Sequence, residues 1–407
     1  MLNFLKKINL LIKKIFTGEV KIKYGVPKDL NIVVYNYDSM NQLQYILEDK
    51  KFIILDYKLV QIKEIYFSFK LFLMVFSNLF KFRLSKNYFY SILKIINPKI
   101  VITATGNHLI FYELAKLLDE KIDFVAVQNA RRSDFERNDY DFKKKITSKN
   151  FNTETYIPHF FCFGQYEIDH ASFFNININK FYKVGSINTS NFFYYLKKNE
   201  KKIVKNKFDL CLISEPAPSE NKKYATDGVE EGYGLMANYT AKFAKKFNHK
   251  FVFAAKRYQY SKLYSADLFK LEMNFFKRYM DKENFEYLLK NINLKENFFS
   301  SYSAIFQSKV AVGTQSTLLR DKIGVGEKIL SCNLTGLKIQ DFPVNGICTI
   351  NDCSYEQFEQ RLNEIMNISI EEYFNKIDKD KNYVMEFKSS YGTIEAIKKE
   401  IDKILNQ

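Results

Sequence analysis

The stretch QNARRSD, residues 128–134, places two adjacent arginines and an aspartate directly after an apolar, β-prone run. Guanidinium groups pair with planar oxyanions through two parallel hydrogen bonds, so Arg131 and Arg132 can hold a phosphate or a carboxylate. An arginine neighbour would keep Asp134 ionised as a nucleophile or a general base. A solvated turn whose charges pair with one another is the alternative. We predict a catalytic loop at a strand's carboxyl end, where α/β proteins usually place their sites.

A second candidate lies in residues 300–330, which predict helix, strand, short turn, helix and strand in that order. Ser316 and Thr317 fall at the start of the second helix, where free amides and hydroxyls bind anions such as a nucleotide phosphate. Asp321 follows about one turn later and could reach ribose hydroxyls. A plain helix cap with a solvated aspartate is the alternative. The other residues of this stretch that we predict to contact the nucleotide are Ser301, Tyr302 and Gln315.

Further reactive side chains follow other predicted strands. Glu215 comes directly after the strand FDLCLIS. We expect it to act as an acid/base or to bind the nucleotide-bearing substrate, and a purely turn-forming role is the alternative. Lys256 and Arg257 follow the strand KFVFAA and could neutralise a leaving phosphate, a role that a metal ion would otherwise fill. With no credible DxD motif and four scattered histidines, we expect no metal ion and no cofactor. The remaining candidates are His108 as a base, and Asn107, Gln128 and Asn129 as substrate contacts.

Short apolar, β-branched runs alternate with helical patterns along the chain, which predicts α/β architecture with doubly wound parallel sheets. Helices are predicted at residues 62–80, 86–96 and 109–119 in the first half. In the second half they are predicted at 234–247, 266–281, 302–308, 316–324, 355–367 and 391–406. The strands are predicted at 31–36, 52–57, 100–104, 124–128, 160–164, 181–185, 208–214, 250–255, 309–313, 328–333 and 346–350.

The chain of 407 residues is long enough for two domains of this kind. The lysine-rich stretch at 197–207 predicts a linker between a Rossmann-like acceptor and catalytic domain, 26–196, and a Rossmann-like donor domain, 208–390. A basic amphipathic segment, 1–25, precedes them and a helix, 391–407, follows. Two such domains place their ligands at the strands' carboxyl ends, facing the gap between them.

The net charge of +16 favours an anionic partner, either a phosphorylated substrate or an anionic membrane, unless the lysines serve only solubility. Nucleic acid is disfavoured because the chain lacks a dense basic block, zinc-finger spacing and an RNP-like motif. Lys6, Lys7, Lys13 and Lys14 form a stripe on the N-terminal segment largely opposite apolar residues, which predicts a helix lying on an anionic bilayer or packed on its own domain. Five cysteines without a CxxC pair, no signal peptide and no transmembrane run predict a cytoplasmic protein, peripheral on the inner face of the membrane.

Several of these motifs together resemble those of bacterial surface carbohydrate biosynthesis glycosyltransferases with a GT-B fold, which are similar to retaining Kdo transferases. The resemblance covers roughly residues 50–400. QNARRSD matches a family stretch with glycine at the place of Ala130, and Asp321 stands where the family more often has glutamate. The other matching runs are HFFCFG (159–164), KVGS (183–186), GEKIL (326–330) and KNYVMEF (381–387).

The resemblance implies a glycosyltransferase that moves a sugar from a nucleotide-activated donor to a surface polysaccharide or lipid-linked glycan. A CMP-linked 2-keto acid sugar such as Kdo is the leading donor, because the similar Kdo transferases use such donors, and UDP, GDP and TDP sugars are the alternatives. A CDP-polyol phosphotransferase of the teichoic-acid type and a non-catalytic sugar- or nucleotide-binding protein are the alternatives. The former relies on histidine chemistry, and the latter would need no reactive carboxylate.

Overall fold

A computed structural model of the chain describes two six-stranded, all-parallel β-sheets with helices around them. This confirms the predicted α/β class with two doubly wound units. The residues that the structure describes are 13–56, 62–78, 84–104, 109–119, 121–131, 155–170, 176–215, 229–257 and 265–406.

Eleven of the fourteen strands of these residues overlap predicted apolar runs. In chain order the fourteen strands are β1 (Lys21–Tyr24), β2 (Ile32–Tyr35), β3 (Phe52–Leu55), β4 (Glu64–Phe67), β5 (Ile100–Thr103), β6 (Asp123–Val127), β7 (Thr155–Cys162), β8 (Ile176–Lys183), β9 (Phe208–Ile213), β10 (Phe251–Ala254), β11 (Ile292–Asn293), β12 (Ser308–Gly313), β13 (Lys328–Asn333) and β14 (Thr349–Asn351). Strands β1, β4 and β11 were not predicted.

The helices alternate with the strands, as crossover connections between parallel strands require. In chain order they are α1 (Met40–Leu43), α2 (Phe69–Ser77), α3 (Leu84–Ile96), α4 (Leu109–Leu118), α5 (Gln165–Asp169), α6 (Ile187–Lys198), α7 (Val229–Lys246), α8 (Ser265–Tyr279), α9 (Lys282–Lys290), α10 (Ser300–Phe306), α11 (Thr317–Gly324), α12 (Tyr355–Asn367), α13 (Ile370–Asn375) and α14 (Gly392–Leu405), with short 3-10 turns at Tyr37–Ser39 and Lys338–Gln340.

Strand order fixes where each sheet can bind a ligand. The first sheet runs β3-β2-β5-β6-β7-β8 and the second runs β11-β10-β9-β12-β13-β14. The direction of winding reverses between β2 and β5 in the first sheet and between β9 and β12 in the second. Loops diverge at such a point and leave a crevice beyond the carboxyl ends of the two strands. We refer to the space beyond Ile213 and Gly313 as the β9–β12 crevice.

The C-terminal helix returns to the first sheet. Within α14, Ile394, Ile397, Ile401 and Ile404 form one buried stripe. The stripe packs in a hydrophobic cluster with residues of β2 and β5, including Val34. The predicted helix at 391–406 is confirmed, but the sequence did not indicate that it lies against the opposite half of the chain.

The segment before α14 also crosses to the first half. The Glu386 amide donates to the Phe163 carbonyl at 2.8 Å, and the Tyr166 amide donates to the Tyr383 carbonyl at 2.8 Å. Gly185 has a φ of +83°, and a Cβ there would overlap the Glu386 carbonyl oxygen. Glycine is therefore required at this crossing on both counts. Runs 183–186 and 381–387, which are far apart in the sequence, meet here.

Three features differ from the sequence prediction. The predicted helix at 62–80 is wrong in its first part, because residues 64–67 form β4 and pair in parallel with β1. The helix begins only after Ser68, whose Oγ accepts from the Leu71 amide. The distant pairing with β1 was not predicted, so the apolar run looked like one continuous helix. The predicted linker at 197–207 begins inside α6, and the predicted strand at 346–350 is shifted to β14.

We predict that Ile397→Ala lowers the free energy of unfolding by about 2–5 kcal/mol, because it removes a fully buried side chain and leaves a cavity. Urea unfolding followed by circular dichroism measures the change. Lys399→Ala, on the exposed side of the same helix, is the matched control and should change stability little. Equal losses in the two variants would contradict the packing of α14 on the first sheet.

Candidate functional site

Glu215 follows β9 and reaches across the β9–β12 crevice. Its carboxylate accepts hydrogen bonds from the backbone amides of Thr314 and Gln315, the latter at 3.0 Å to Oε2. These are the amides of the turn that precedes α11, which the sequence suggested as a phosphate site. A protein carboxylate therefore already uses part of the donor capacity of this turn. A ligand phosphate must use other donors or displace Glu215.

A second carboxylate shapes the neighbouring loop. Glu272, in α8, is fully buried and accepts from the amides of Lys256 and Arg257 at 2.8 and 2.9 Å, and from the Ser214 hydroxyl. These contacts hold the loop after β10 against the loop after β9. They also place the Lys256 ammonium 2.7 Å from the Glu215 carbonyl oxygen, to which it donates. The backbone after β10 is thus held by the Glu272 carboxylate, and the turn after β12 is held by the Glu215 carboxylate.

Burial shifts the pKa values of these groups in opposite senses. Burial raises the pKa of Glu215, although the Gln315 amide and the Arg131 charge act against the rise. Burial lowers the pKa of Lys256, and the Arg257 charge lowers it further. Lys295, whose ammonium donates to the Lys256 carbonyl at 3.2 Å, is lowered in pKa by burial as well. Perturbed acids and bases that share one crevice are typical of functional sites.

Arg131 brings the first half of the chain to this crevice. Its amide donates to the Thr317 hydroxyl at 2.9 Å, and its Nη2 donates to Gln340 Oε1 at 3.2 Å. Tyr233 donates to the same Gln340 oxygen at 3.2 Å. Within the part of the chain that the structure describes, Arg131 Nη1 is buried without a hydrogen-bond partner. The guanidinium group can therefore donate to one more oxygen atom.

An ion pair between the halves lies behind Arg131. Arg320 of α11 and Glu167 of α5 are both almost fully buried, with Nη1 and Oε1 3.2 Å apart. The Gln128 amide donates to the same Glu167 oxygen at 3.1 Å, and the Arg320 guanidinium lies over the Tyr166 ring at 4.9 Å. Sequence reasoning missed this pair. The only available signal was a charged triplet inside α11, which is ordinarily interpreted as an exposed face.

Asp321, proposed from the sequence to reach a ribose, lies elsewhere. It is fully buried between α11 and the start of α6, near the hydroxyls of Ser186, Thr189 and Tyr302. Burial raises its pKa to about 7, and the hydroxyls act against that rise. Contact with a ligand would require the two halves to separate. Ser301 and Tyr302 are likewise buried, and the Ser301 hydroxyl donates to the Ala255 carbonyl at 3.4 Å.

The remaining sequence candidates have several different locations. Ser316 caps α11 by accepting from the Leu318 amide at 3.2 Å, and the Gln315 side-chain amide donates to the Asp341 carbonyl. Gln128 is buried and accepts from the Phe163 amide, while the Asn129 carbonyl accepts from the Asn188 side chain at 2.9 Å. Four candidates lie outside the described residues, namely Asn107, His108, Arg132 and Asp134.

No group of three or more His, Cys, Asp or Glu side chains that could hold a metal ion occurs within the described ranges. The carboxylates at the crevice instead accept from backbone amides and a hydroxyl. The groups near the crevice that could bind an anionic ligand are cationic: Arg131, Lys256 and Arg257. This arrangement suits a phosphate-bearing ligand.

No protein-family model and no curated protein matches the chain. Solved structures do match. S. aureus MnaA in complex with UDP is 11% identical, with a TM-score of 0.50 over 94% of this chain and 97% of that one. The wall teichoic acid polymerase TagF is 10% identical, with a TM-score of 0.48 over 100% and 98%. UDP-GlcNAc 2-epimerase from Methanocaldococcus jannaschii is 12% identical, with a TM-score of 0.47 over 92% and 100%. At these identities the likeness concerns the fold, a two-domain Rossmann-like GT-B arrangement.

The raised pKa of Asp321 predicts how the stability of the folded protein depends on pH. In the unfolded chain this carboxyl has its ordinary value of 3.8, so the folded protein binds the proton more tightly. Its contribution to stability is greatest below about pH 4 and is lost as the pH rises to about 7 and beyond. Asp321→Asn should remove this loss, so the variant gains stability relative to the parent between pH 5 and pH 8. Thermal unfolding across that range measures the difference.

The matched control is Glu371→Gln, an exposed carboxyl in α13. Its unfolding curve should follow that of the parent protein at every pH. If the stabilities of the parent and of Asp321→Asn differ by the same amount at every pH in this range, Asp321 is ionised in the folded protein. That result would contradict the raised pKa that its burial causes.

Proposed function

We propose that this protein is a glycosyltransferase that binds a nucleotide-activated sugar in the β9–β12 crevice, with the nucleotide phosphate held by cations of both halves. The observation that carries the proposal is the set of basic groups at the crevice. Lys256 and Arg257 come from the second sheet, and Arg131 comes from the first half.

These cations remain available to a ligand. Among the described residues, no carboxylate forms an ion pair with Arg131, Lys256 or Arg257. Glu215 and Glu272 lie close enough to interact with these charges, but both carboxylates accept from backbone amides, and neither forms an ion pair with the three cations within the described ranges. A phosphate would supply a direct counter-ion, and phosphate is the leaving group of every nucleotide-sugar donor. Lysine and arginine stabilise the charge that develops on such a group without a metal ion.

The GT-B fold supports a nucleotide ligand. In this fold the second sheet has the strand order of dinucleotide-binding domains, and ligands bind beyond the carboxyl ends of the strands where the order reverses. S. aureus MnaA, which has this fold, was solved as a complex with UDP. We extend nucleotide binding to this chain on the basis of its own crevice.

Glu215 is the proposed acid or base among the described residues. Its raised pKa lets it hold a proton closer to neutral pH, as general acid–base catalysis needs. Asp134 follows Arg131 by three residues in the chain and remains the proposed nucleophile or base from the first half. A retaining reaction would use it to attack the anomeric carbon, and an inverting one would use it to deprotonate the acceptor.

The identity of the donor sugar and of the acceptor is proposed from the resemblance found in the sequence. A CMP-linked 2-keto acid sugar such as Kdo carries a carboxylate besides the phosphate, and therefore needs a second guanidinium group. Arg131 and Arg132 are adjacent and could divide these two tasks. We propose a surface polysaccharide or glycolipid as the acceptor, and the inner face of the cytoplasmic membrane as the place of reaction.

The described histidines lend no support to a phosphotransferase that depends on histidine. His159 lies between Tyr182 and Asp123, the first residue of β6, and His249 precedes β10 at the amino end of the second sheet. His170 is bonded to the Tyr166 carbonyl at 2.9 Å. His249 thus lies at the edge opposite the β9–β12 crevice, and His159 lies in the middle of β7 rather than beyond a strand's carboxyl end.

We predict that Lys256→Met weakens nucleotide binding by about 1.5–3 kcal/mol, the usual contribution of a hydrogen bond to a charged group. Isothermal titration with CMP, UDP and GDP identifies the nucleotide and measures the loss. Lys309→Met is the matched control, because Lys309 lies at the amino end of β12 and pairs with Asp209. Unchanged nucleotide affinity in Lys256→Met would contradict the proposal that the phosphate binds at this crevice.

We also predict that Glu215→Gln and Asp134→Asn each reduce sugar transfer by roughly a hundredfold or more, as expected for loss of an acid or base. Nucleotide affinity in Asp134→Asn should stay close to that of the parent, because the carboxylate would act mainly in the transition state. A transfer assay with the identified nucleotide sugar and a synthetic acceptor provides the measurement. Normal turnover in both variants would exclude catalysis by these two carboxylates.

A further inference from the structure

Helix α2 is apolar except for Lys70 and Ser77. One stripe, which includes Leu71 and Val75, packs on the first half near α3, where the Asn87 side chain donates to the Val75 carbonyl at 2.7 Å. The opposite stripe faces solvent. It consists of Phe69, Phe72, Leu73 and Phe76, which are 73%, 51%, 48% and 63% exposed. A contiguous apolar stripe of this kind on a protein surface is typical of an interaction site, so this outer face of α2 calls for a partner.

The two-stranded sheet before α2 exposes a second apolar surface. The register pairs Tyr24 with Phe67 and Ile22 with Ile65, so these four side chains lie on one face. Tyr24 is 86% exposed, and Phe67 is about half exposed. Phe67 is separated from Phe69 only by the helix cap Ser68, which makes the apolar surface continuous along the chain.

Lysines outnumber acidic residues in the two segments that carry this surface. Residues 13–28 contain five lysines and one glutamate, and residues 62–78 contain two lysines and one glutamate. Lys21, Lys63 and Lys70 are exposed. Aromatic and aliphatic side chains bordered by lysines are the composition of surfaces that bind anionic lipid, where the apolar groups enter the acyl boundary and the lysines meet the headgroups.

We propose that the outer face of α2, together with the exposed face of the β1–β4 sheet, docks this protein on an anionic lipid bilayer. The sequence pattern of residues 1–16 predicted membrane attachment through the N-terminal segment. Of that segment only residues 13–16 are described, and Lys14 there is largely buried and lies 3.7 Å from Glu19. The proposed surface is a different one, and it is independent of the chemistry at the crevice.

A second copy of the chain fits this surface less well. Each copy carries a net charge of +16, and a symmetric contact through α2 would bring the lysines of the two copies together. An anionic bilayer instead neutralises them. Within the described residues no helix is long and apolar enough to cross a membrane, and the proposed contact is peripheral.

The test is co-sedimentation of the full chain with vesicles of phosphatidylcholine, with and without phosphatidylglycerol. We expect binding to the anionic vesicles, with Phe72→Ser combined with Phe76→Ser lowering the partition coefficient roughly tenfold or more. The matched control combines Val204→Ser with Ile370→Ser, two similarly exposed apolar side chains in other parts of the chain. The control should bind as the parent does.

A fluorescence measurement makes the result independent of variant stability. The chain has no tryptophan, so Phe72→Trp introduces the only indole. Its emission should shift to the blue when anionic vesicles are added, whereas that of Ile370→Trp should not. The proposal is overturned if the parent ignores anionic vesicles, or if the serine variant binds normally and the Phe72→Trp emission stays constant. If the Phe72→Ser and Phe76→Ser variant binds vesicles as the parent does, and differs only in the mass measured by light scattering, the surface is instead a contact between copies of the chain.

Discussion

Helix α11 carries three consecutive charged side chains, Arg320, Asp321 and Lys322, and all three are buried. Removing charges from water is costly unless each finds a partner, and the partners therefore fix where the helix lies. Arg320 pairs with Glu167 of the first half. Lys322 donates to the carbonyls of Ile305 and Ser308 at 2.7 and 2.8 Å, and pairs with Glu327 at 2.6 Å, all in the second half. One helix is thus bound to both halves through neighbouring residues.

The site depends on this constraint. The turn at the amino end of α11 supplies the amides that hold Glu215, and Thr317 accepts the hydrogen bond from the Arg131 amide. Because Arg320, one turn later on the same face of the helix, pairs with Glu167 of α5, the arginine of the first half and the lysine of the second approach the same crevice. Burial raises the pKa of Asp321, in the same interface, to about 7, so we expect the contact between the halves to respond to pH.

The sequence predicted the sheets well because parallel strands buried on both faces are continuous apolar runs, as in IVVY of β2 and FVFA of β10. It failed where a distant partner decided the structure. Residues 64–67 form a strand only because β1 pairs with them. Glu215 could be found because it ends a strand next to prolines, whereas Glu167 and Arg320 could not. Their charges look solvent-exposed until the two halves are brought together. The function of residues 132–134 stays a sequence prediction.

The central claim is that a nucleotide phosphate binds at the β9–β12 crevice between cations of both halves. A crystal structure of the protein with the nucleotide selected by calorimetry tests it most directly. We expect a phosphate oxygen within hydrogen-bond distance, about 2.7–3.2 Å, of Lys256 Nζ or Arg131 Nη1. A nucleotide bound at the crevice between β2 and β5 of the first sheet, with no phosphate contact to either cation, would contradict it.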